Sequence, residues 1–421
     1  MLATRPRGTN DILPGKVEYW RKLEDVIHEI CQQYGFREIR TPIFEHTELF
    51  ARGVGETTDI VEKEMYSFLD RGKRNITLRP EGTAPTVRAF LENKFYAEPQ
   101  PTKLYYIGPM FRYGRPQAGR FRQFHQFGVE VFSSHDPSID AEVIALAMDY
   151  YKRLNISGLE LHLNSVGCSK CRPAHKEKLL EHLKEQYTNL CPTCQGRYEK
   201  NPLRIFDCKN DTCQKLISAA PAITDCLCDD CREHFEQVQK YLKEINIEYI
   251  VDKKLVRGLD YYTKTAFEIM VEDIGAQSSI GGGGRYDRLV KECGGSDTPG
   301  IGFAMGLERV ILTMEQQGLL KDTKFEQDVF VATVDSSLDL EAFKILQILR
   351  SEGLSAEKDY MGRSLKSQLK YADKLGVSHV LVLGQDELAT GSITVKKMET
   401  GEQTQVQLAE FVSYIKKETN F

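Results

Sequence analysis

Three groups of residues in this sequence have types and spacings that do chemistry. The first lies in Leu104–Phe132, LYYIGPMFRYGRPQAGRFRQFHQFGVEVF. A period of two through its second half sets Phe124, Gln126, Gly128 and Glu130 on one strand face, an amide, a gap and a carboxylate in a row. Glu130 stands in an apolar run and Arg112 between aromatics close to the bend, and charges placed so point to a site. The second group is thiol. Nine of the 11 cysteines fall between Cys168 and Cys231. Cys168-x2-Cys171 and Cys191-x2-Cys194 are separated by the 19 residues 172–190, a spacing used by four-cysteine zinc sites. Cys208, Cys213, Cys226 and Cys228-x2-Cys231 follow. Thiolates bind zinc tetrahedrally, and a CxxC turn presents two sulfurs to one ion. Cys191 and Cys194 join either Cys168 and Cys171 or Cys208 and Cys213. The second grouping leaves Cys168, Cys171, Cys228 and Cys231 for another ion; reduced structural cysteines are the bland alternative.

The third group is scattered over turns and glycines. Glu81 and Thr83 sit in ITLRPEGTAPTVRAFL, where a strand passes into a helix entered near Pro85. Taken alone, Glu81 reads as a helix-capping carboxylate. Arg257-Gly258-Leu259-Asp260-Tyr261-Tyr262 is a polar turn feeding a strand. The run Gly281 to Gly284 before Arg285-Tyr286-Asp287 admits a ligand close to the backbone or forms a flexible loop.

The elements that must hold these residues follow from pattern. Gly114, Pro116 and Gly119 between β-prone arms make Leu104–Phe132 an antiparallel hairpin. Val17, Trp20, Leu23, Val26, Ile30 and Tyr34 recur at helical spacing up to Gly35, and His28 and Cys31 take core or surface roles in that helix. FREIRTPIFE reads as a strand that Pro42 confines to an edge or an interface. A helix runs from Asp136-Pro137 to about Leu154, then the strand LELHLNS, whose His162 is half-exposed. GIGFAMGLERV is a strand entering a helix that carries Arg309. After a polar connector, Gly318 to Gln327, strands and helices alternate as in a compact α/β domain. There Arg363, Lys366, Lys370 and Lys374, three or four apart, give one helix face a basic stripe.

Length and composition, 421 residues with 41% hydrophobic and 28% charged, fit a globular protein of a few domains. No apolar run nears the roughly 18 residues of a membrane span, and no apolar signal region opens the chain, so a cytoplasmic protein is expected. Clustered cysteines there point to metal before disulfides. A net charge of −5 leaves a nucleic-acid partner open, because a local basic patch suffices for phosphate contact.

FRYGRPQAGRFRQFHQFGVE resembles the motif 2 hairpin of class II aminoacyl-tRNA synthetases, in the wording of the histidyl-tRNA synthetase family. LVRGLDYYT resembles that family's histidine-recognition signature, and GIGFAMGLERV its motif 3. Helix, strand and proline near the N-terminus resemble motif 1, which implies a homodimer. The resemblance spans essentially the whole chain. It implies an α+β catalytic domain with a mixed, mainly antiparallel sheet (1–166 and 248–320), a small cysteine-rich insertion domain (167–247) and a C-terminal α/β anticodon-binding domain (327–421).

The activity implied is histidine–tRNA ligation: L-histidine and ATP, with Mg2+ on the triphosphate, form an adenylate, and histidine then passes to its tRNA. Growing charge on the phosphoryl oxygens calls for fixed cations. The resemblance assigns Arg112 and Arg257 to the α-phosphate and Arg309 to the far phosphates. Glu81, Thr83 and Gln126 hold the ammonium and carboxylate end of histidine, and Glu130, Tyr261 and Tyr262 surround its ring, with Glu130 and Tyr262 at the imidazole nitrogens. Arg115, Gln117 and Arg120 in the hairpin loop lie near the tRNA acceptor end; Arg363 and Lys366 belong to the anticodon-binding domain. One departure stands out. Where the family usually reads FRxE, this chain has Phe111-Arg112-Tyr113-Gly114, and the missing carboxylate normally helps to position adenine. A synthetase-like regulatory protein that binds histidine without charging tRNA is the competing expectation.

Overall fold

The hairpin is the spine of the larger sheet. The computed structural model describes residues 3–55, 58, 60–271, 278–320 and 327–419, which fall into two units, 1–321 and 322–421. In the first unit the strands are β1 Arg37–Glu38, β2 Phe44–His46, β3 Tyr66–Leu69, β4 Asn75–Leu78, β5 Thr102–Phe111, β6 Gln123–Phe132, β7 Leu159–Ser165, β8 Ile250–Val251, β9 Thr263–Val271, β10 Ser279–Arg285 and β11 Gly300–Gly306. Eight of them form one sheet in the order β1-β5-β6-β11-β10-β9-β7-β8. Its inner pairings are antiparallel; only the edge pairs β1–β5 and β7–β8 are parallel. The expected mixed, mainly antiparallel sheet is what forms.

Alternation along β6 divides its side chains. Phe127, Val129 and Val131 enter a core with Leu23, Ile27 and Ile30 of the helix Val17–Gln33, Val143, Leu146 and Tyr150 of Pro137–Arg153, and Val310 and Met314 of Leu307–Gln316. Each such side chain contributes about 1.5–3 kcal/mol by leaving water. Gln126, Gly128 and Glu130 therefore face the other way. Phe235, Val238 and Leu242 of the helix Asp229–Glu244 join the same core, so the last helix of the cysteine-rich segment is bound to the sheet.

Two expectations are corrected here. FREIRTPIFE is not one strand: β1 edges the large sheet, while β2 pairs with β4 in a separate sheet of order β2-β4-β3. The break at Thr41-Pro42 is held by Arg79, which donates to the Thr41 carbonyl at 2.9 Å and the Pro109 carbonyl at 2.9 Å. Gly281 to Gly284 do not form a loop. They are the buried middle of β10, paired on both sides, because their missing side chains let the neighbouring strands and Arg257 approach.

A buried ionic cluster ties these layers together. Arg285 and Asp140 are fully buried and paired, and His234 Nε2 lies 2.7 Å from Asp140 Oδ2. Arg285 and His234 hold the Asp140 carboxyl below its usual range against the opposing effect of burial. Thr265 donates its hydroxyl to the same oxygen at 2.6 Å. Thr265→Val keeps the shape and removes that donor. A hydrogen bond to a charged group contributes about 1.5–3 kcal/mol, so the variant is expected to lose about 2 kcal/mol in urea unfolding with an unchanged m-value.

In the second unit, β12 Val329–Thr333, β13 Ala356–Lys358, β14 His379–Leu383, β15 Ser392–Lys397 and β16 Gln403–Gln407 form a sheet of order β13-β12-β14-β15-β16. The short strands β13 and β16 and the helix Gln385–Thr390 add to the elements read from pattern. Of the connector Gly318 to Gln327, residues 321–326 lie outside the described residues. Lys366 and Lys370 are exposed on the helix Leu365–Leu375, as expected. Arg363 precedes that helix. It is paired with Asp359 and its guanidinium lies over the Tyr371 ring at 4.3 Å, so it does not belong to the free stripe.

Candidate active site

The polar face of the large sheet is the floor of a cavity of about 470 Å3. Its register explains the space. Glu130 on β6 lies opposite Gly302, Gly302 opposite Gly284, and Gly284 opposite Ala266; one row along, Gly128, Ala304, Gly282 and Glu268 follow each other. Glycine and alanine leave the floor bare, and the remaining side chains stand at its margins. A Cβ on Gly302 would sit 2.2 Å from the Val129 carbonyl oxygen, and one on Gly282 would sit 2.7 Å from the Phe267 carbonyl oxygen. Both positions require glycine by contact.

Tyrosines line the cavity around a buried carboxylate. Glu130 accepts hydrogen bonds from the Tyr286 hydroxyl and, at 3.3 Å, from Tyr106. Gly82 and Gly128 make room for the Tyr106 ring, since a Cβ on either would lie within 2.4 Å of it. Tyr261 and Tyr262 pack with their rings tilted by 49° at 4.7 Å between centroids, and Tyr261 meets Tyr286 edge-on at 5.6 Å. Burial pushes the Glu130 carboxyl up to about 8, against the hydroxyls that favour its charge. Beside it, Glu81 accepts from the backbone N–H of Thr83 at 2.7 Å and Ala84 at 2.8 Å. It both caps the helix Thr83–Glu92 and lines the cavity with Thr83. Burial raises the Glu81 carboxyl despite those N–H donors. Gln126 also lines the cavity, and its buried Oε1 has no hydrogen-bond partner among the described residues.

The same cavity is lined by cations, with Arg257 bonded to the Tyr262 hydroxyl and Arg112 acting on Glu81. Arg112 donates to the Pro80 carbonyl at 2.7 Å and lies over the Phe124 ring at 5.3 Å. Arg257 pairs with Glu268 at 3.0 Å across the bare floor, and its buried Nε has no hydrogen-bond partner among the described residues. Arg309 donates to the Ser279 carbonyl at 2.5 Å and the Gly119 carbonyl at 3.3 Å, bracing the hairpin loop against β10. Burial lowers its pKa, and Arg120 and Arg112 lower it further. Arginines that repel one another in a cavity wall form a receptor for a polyanion.

The hairpin loop divides the residues expected at a nucleic-acid end. Arg115 and Gln117 are exposed, and Gln117 closes a tight turn on Arg120 through paired backbone bonds of 3.1 and 2.9 Å. Arg120 instead lines the cavity and pairs with Glu64 at 2.7 Å. That same Glu64 oxygen lies 3.5 Å from where a Cβ on Gly114 would stand. A carboxylate from another element thus occupies the neighbourhood of the one that Phe111-Arg112-Tyr113-Gly114 lacks. Glu64 was invisible to pattern, as were Glu308, which accepts from the His125 N–H at 2.9 Å, and Glu268. Tyr106 had a signal: hairpin register sets it opposite the gap at Gly128.

The thiols settle into two groups, Cys168, Cys171, Cys228 and Cys231, and Cys191, Cys194, Cys208 and Cys213, each with its sulfurs within 4.8 Å of one another. The second of the two groupings weighed from spacing is the one formed, and Cys226 is in neither. Sulfurs ~2.3 Å from one tetrahedral ion lie ~3.8 Å apart. The Cys168–Cys228 and Cys191–Cys208 separations are both 3.8 Å. Burial opposes the Cys168 thiolate, but the Lys170 and Cys171 N–H groups bring it down to about 7. Cys191 is likewise opposed by burial and brought to about 7 by Cys194 and its neighbouring thiols. Cys194 and Cys231 are driven upward by burial and adjacent thiols, a repulsion that a central cation relieves. Both sets fit a metal ion.

Comparison with known proteins agrees with this geometry. Residues 8–310 match the family model described as Histidyl-tRNA synthetase, and residues 328–418 match Anticodon binding domain. A histidine–tRNA ligase of Desulforamulus reducens is 62% identical over 419 residues, covering 100% of both chains. One from Moorella thermoacetica is 61% identical, covering 99% of both. The structure of apo Staphylococcus aureus histidyl-tRNA synthetase superposes with a TM-score of 0.84 at 42% identity, over 99% of this chain and 100% of that one. A bare glycine floor, a buried carboxylate ringed by tyrosines and an arginine cluster, carried on a sheet shared with those proteins, place this chain in the histidyl-tRNA synthetase family.

Proposed function

We propose that the protein is a histidine–tRNA ligase. The observation that carries the reading is one cavity lined both by a buried carboxylate among tyrosines and by several arginines. Glu130 accepts an imidazole N–H and the Tyr262 hydroxyl serves the other ring nitrogen, with Tyr261 packed beside it. Glu81, Thr83 and the orphaned Gln126 oxygen receive the ammonium end. A histidine carboxylate oxygen then attacks the α-phosphorus of ATP, the bond to the β-phosphate oxygen breaks, and pyrophosphate leaves. Arg112 and Arg257 stabilise the charge growing on the α-phosphoryl oxygens, and Arg309 holds the far phosphates, where Mg2+ arrives as part of the nucleotide. In the second step a ribose hydroxyl of the tRNA 3′-terminal adenosine attacks the adenylate carbonyl and AMP departs. Arg115, Gln117 and Arg120 guide that end, and Arg363 and Lys366 serve the anticodon-binding unit.

The catalytic domain comprises 1–166 and 248–320, the insertion 167–247 and the anticodon-binding domain 327–421. Each cysteine set holds one structural Zn2+. The protein works as a cytoplasmic homodimer, with Ile43, Phe44, Phe68 and Leu69, now 44, 58, 50 and 64% exposed, covered by the second copy. Among the described residues no helix is long and apolar enough to cross a membrane. Glu64 compensates for Gly114. Histidine-dependent ATP–pyrophosphate exchange tests the whole reading: strong exchange with subsequent tRNA charging is expected. Histidine binding without exchange would make the protein a regulatory relative instead.

A further inference from the structure

The second cysteine set does more than close a small domain. Cys208 is flanked by Asp207 and Lys209, and both neighbours line the cavity. The segment leading to it, between Cys194 and Cys208, touches the Arg257–Tyr262 turn at successive points. Asn201 Nδ2 donates to Asp260 Oδ1 at 2.9 Å, and the buried Arg204 guanidinium donates to the Arg257 carbonyl at 3.4 Å. The first set grips the other end of the same turn, because Arg172, next to Cys171, donates to the Tyr262 carbonyl. The turn carrying Arg257 and Tyr262 is thus held between two thiolate centres.

We infer that the Cys191–Cys194–Cys208–Cys213 centre is a wall of the active site, and that metal bound there positions the turn carrying Arg257 for amino-acid activation and Tyr262 for histidine binding. The segment that reaches the turn has no sheet of its own. It is a short 3-10 turn, Pro202–Asp207, whose Ile205 and Phe206 pack into a cluster of nine buried residues that includes Cys194, Cys208 and Cys213. A cluster so small does not hold a fixed shape without a staple. An ion on Cys208 fixes the backbone between Asp207 and Lys209 and, through Arg204 and Asn201, the turn opposite. Loss of the ion frees that backbone, and a displacement of ~1 Å at a positioned group costs about 10²-fold in rate.

The inference rests on the ligase reading and on two bound ions, and three measurements on the full chain test it. Elemental analysis is expected to find two zinc equivalents in the wild type and one in Cys208→Ser. Calorimetric histidine affinity and pyrophosphate exchange are both expected to drop in Cys208→Ser, exchange by about 10²-fold. Asn201→Ala is expected to keep both ions yet lower kcat for exchange more than it changes the KM for ATP. Should Cys208→Ser not fold, stepwise chelation of the wild type, with released zinc read by a dye and histidine affinity read in parallel, gives the same comparison. Wild-type affinity and exchange with the second ion gone would overturn the inference, as would a purified chain with no zinc and all nine thiols between Cys168 and Cys231 titratable. A fully loaded wild type without any exchange would instead overturn the ligase reading, while the dependence of histidine affinity on zinc still decides this one.

Discussion

Glu130→Gln is expected to cut kcat/KM for histidine by about 10²-fold or more while making the ligand-free protein more stable above neutral pH. Both effects come from one buried carboxyl. In the proposed reaction the Glu130 carboxylate accepts an imidazole N–H; glutamine replaces that charge-assisted bond with a weaker neutral one and turns one of the two oxygens that accept from Tyr106 and Tyr286 into a donor. The stability effect has the opposite sign. Burial raises this carboxyl from 4.5 to about 8, so over that range the folded chain keeps a proton the unfolded chain has released. Stability then falls as pH rises through the window, and glutamine, which does not titrate, escapes the fall. The Tm difference between variant and wild type should therefore widen from pH 5 to pH 8. A constant difference across that range would show that Glu130 is ionised throughout.

Arg257→Ala is expected to lower histidine-dependent exchange by about 10²–10³-fold, the usual loss when one fixed donor to a developing oxyanion is removed. The guanidinium lies over Gly282 and pairs with Glu268 at 3.0 Å. Histidine affinity by calorimetry should change far less than exchange, because the proposed contact forms on the phosphoryl group. Removing Arg257 also leaves Glu268 without its partner, so the double variant Arg257→Ala with Glu268→Gln is the control. Exchange restored in the double variant would mean that the single change acted through an uncompensated charge. Exchange still lost would assign the deficit to missing phosphoryl stabilisation.

Much of this was legible in the residues themselves. Strand alternation set Gln126 and Glu130 on one face, and the bend of the hairpin followed from Gly114, Pro116 and Gly119, because both depend on neighbours within a few positions. The helices Val17–Gln33 and Pro137–Arg153 followed from spacing for the same reason. That thiols gather in groups of metal-site type was legible from the CxxC pairs, but the pairing between them was not. Spacing leaves two groupings open, and only packing, which brings Cys228 to Cys168 and Cys208 to Cys191, chooses one.

The remaining decisions belong to contacts between distant segments. Whether four glycines make a loop or a strand depends on what lies beside them, and here β9 and β11 supply backbone partners on both sides. Glu64 reaches the space beside Gly114 from 50 positions away. No local pattern carries that information. Arg363 shows the same limit, since its spacing suits a basic stripe but Asp359 and Tyr371 hold it elsewhere. The sequence by itself determined which groups were available and which faces they shared within an element, because those are short-range consequences of backbone period. The tertiary structure alone decided which groups meet across elements and which charges are compensated, because burial and Coulomb interactions depend on distance in space, not along the chain.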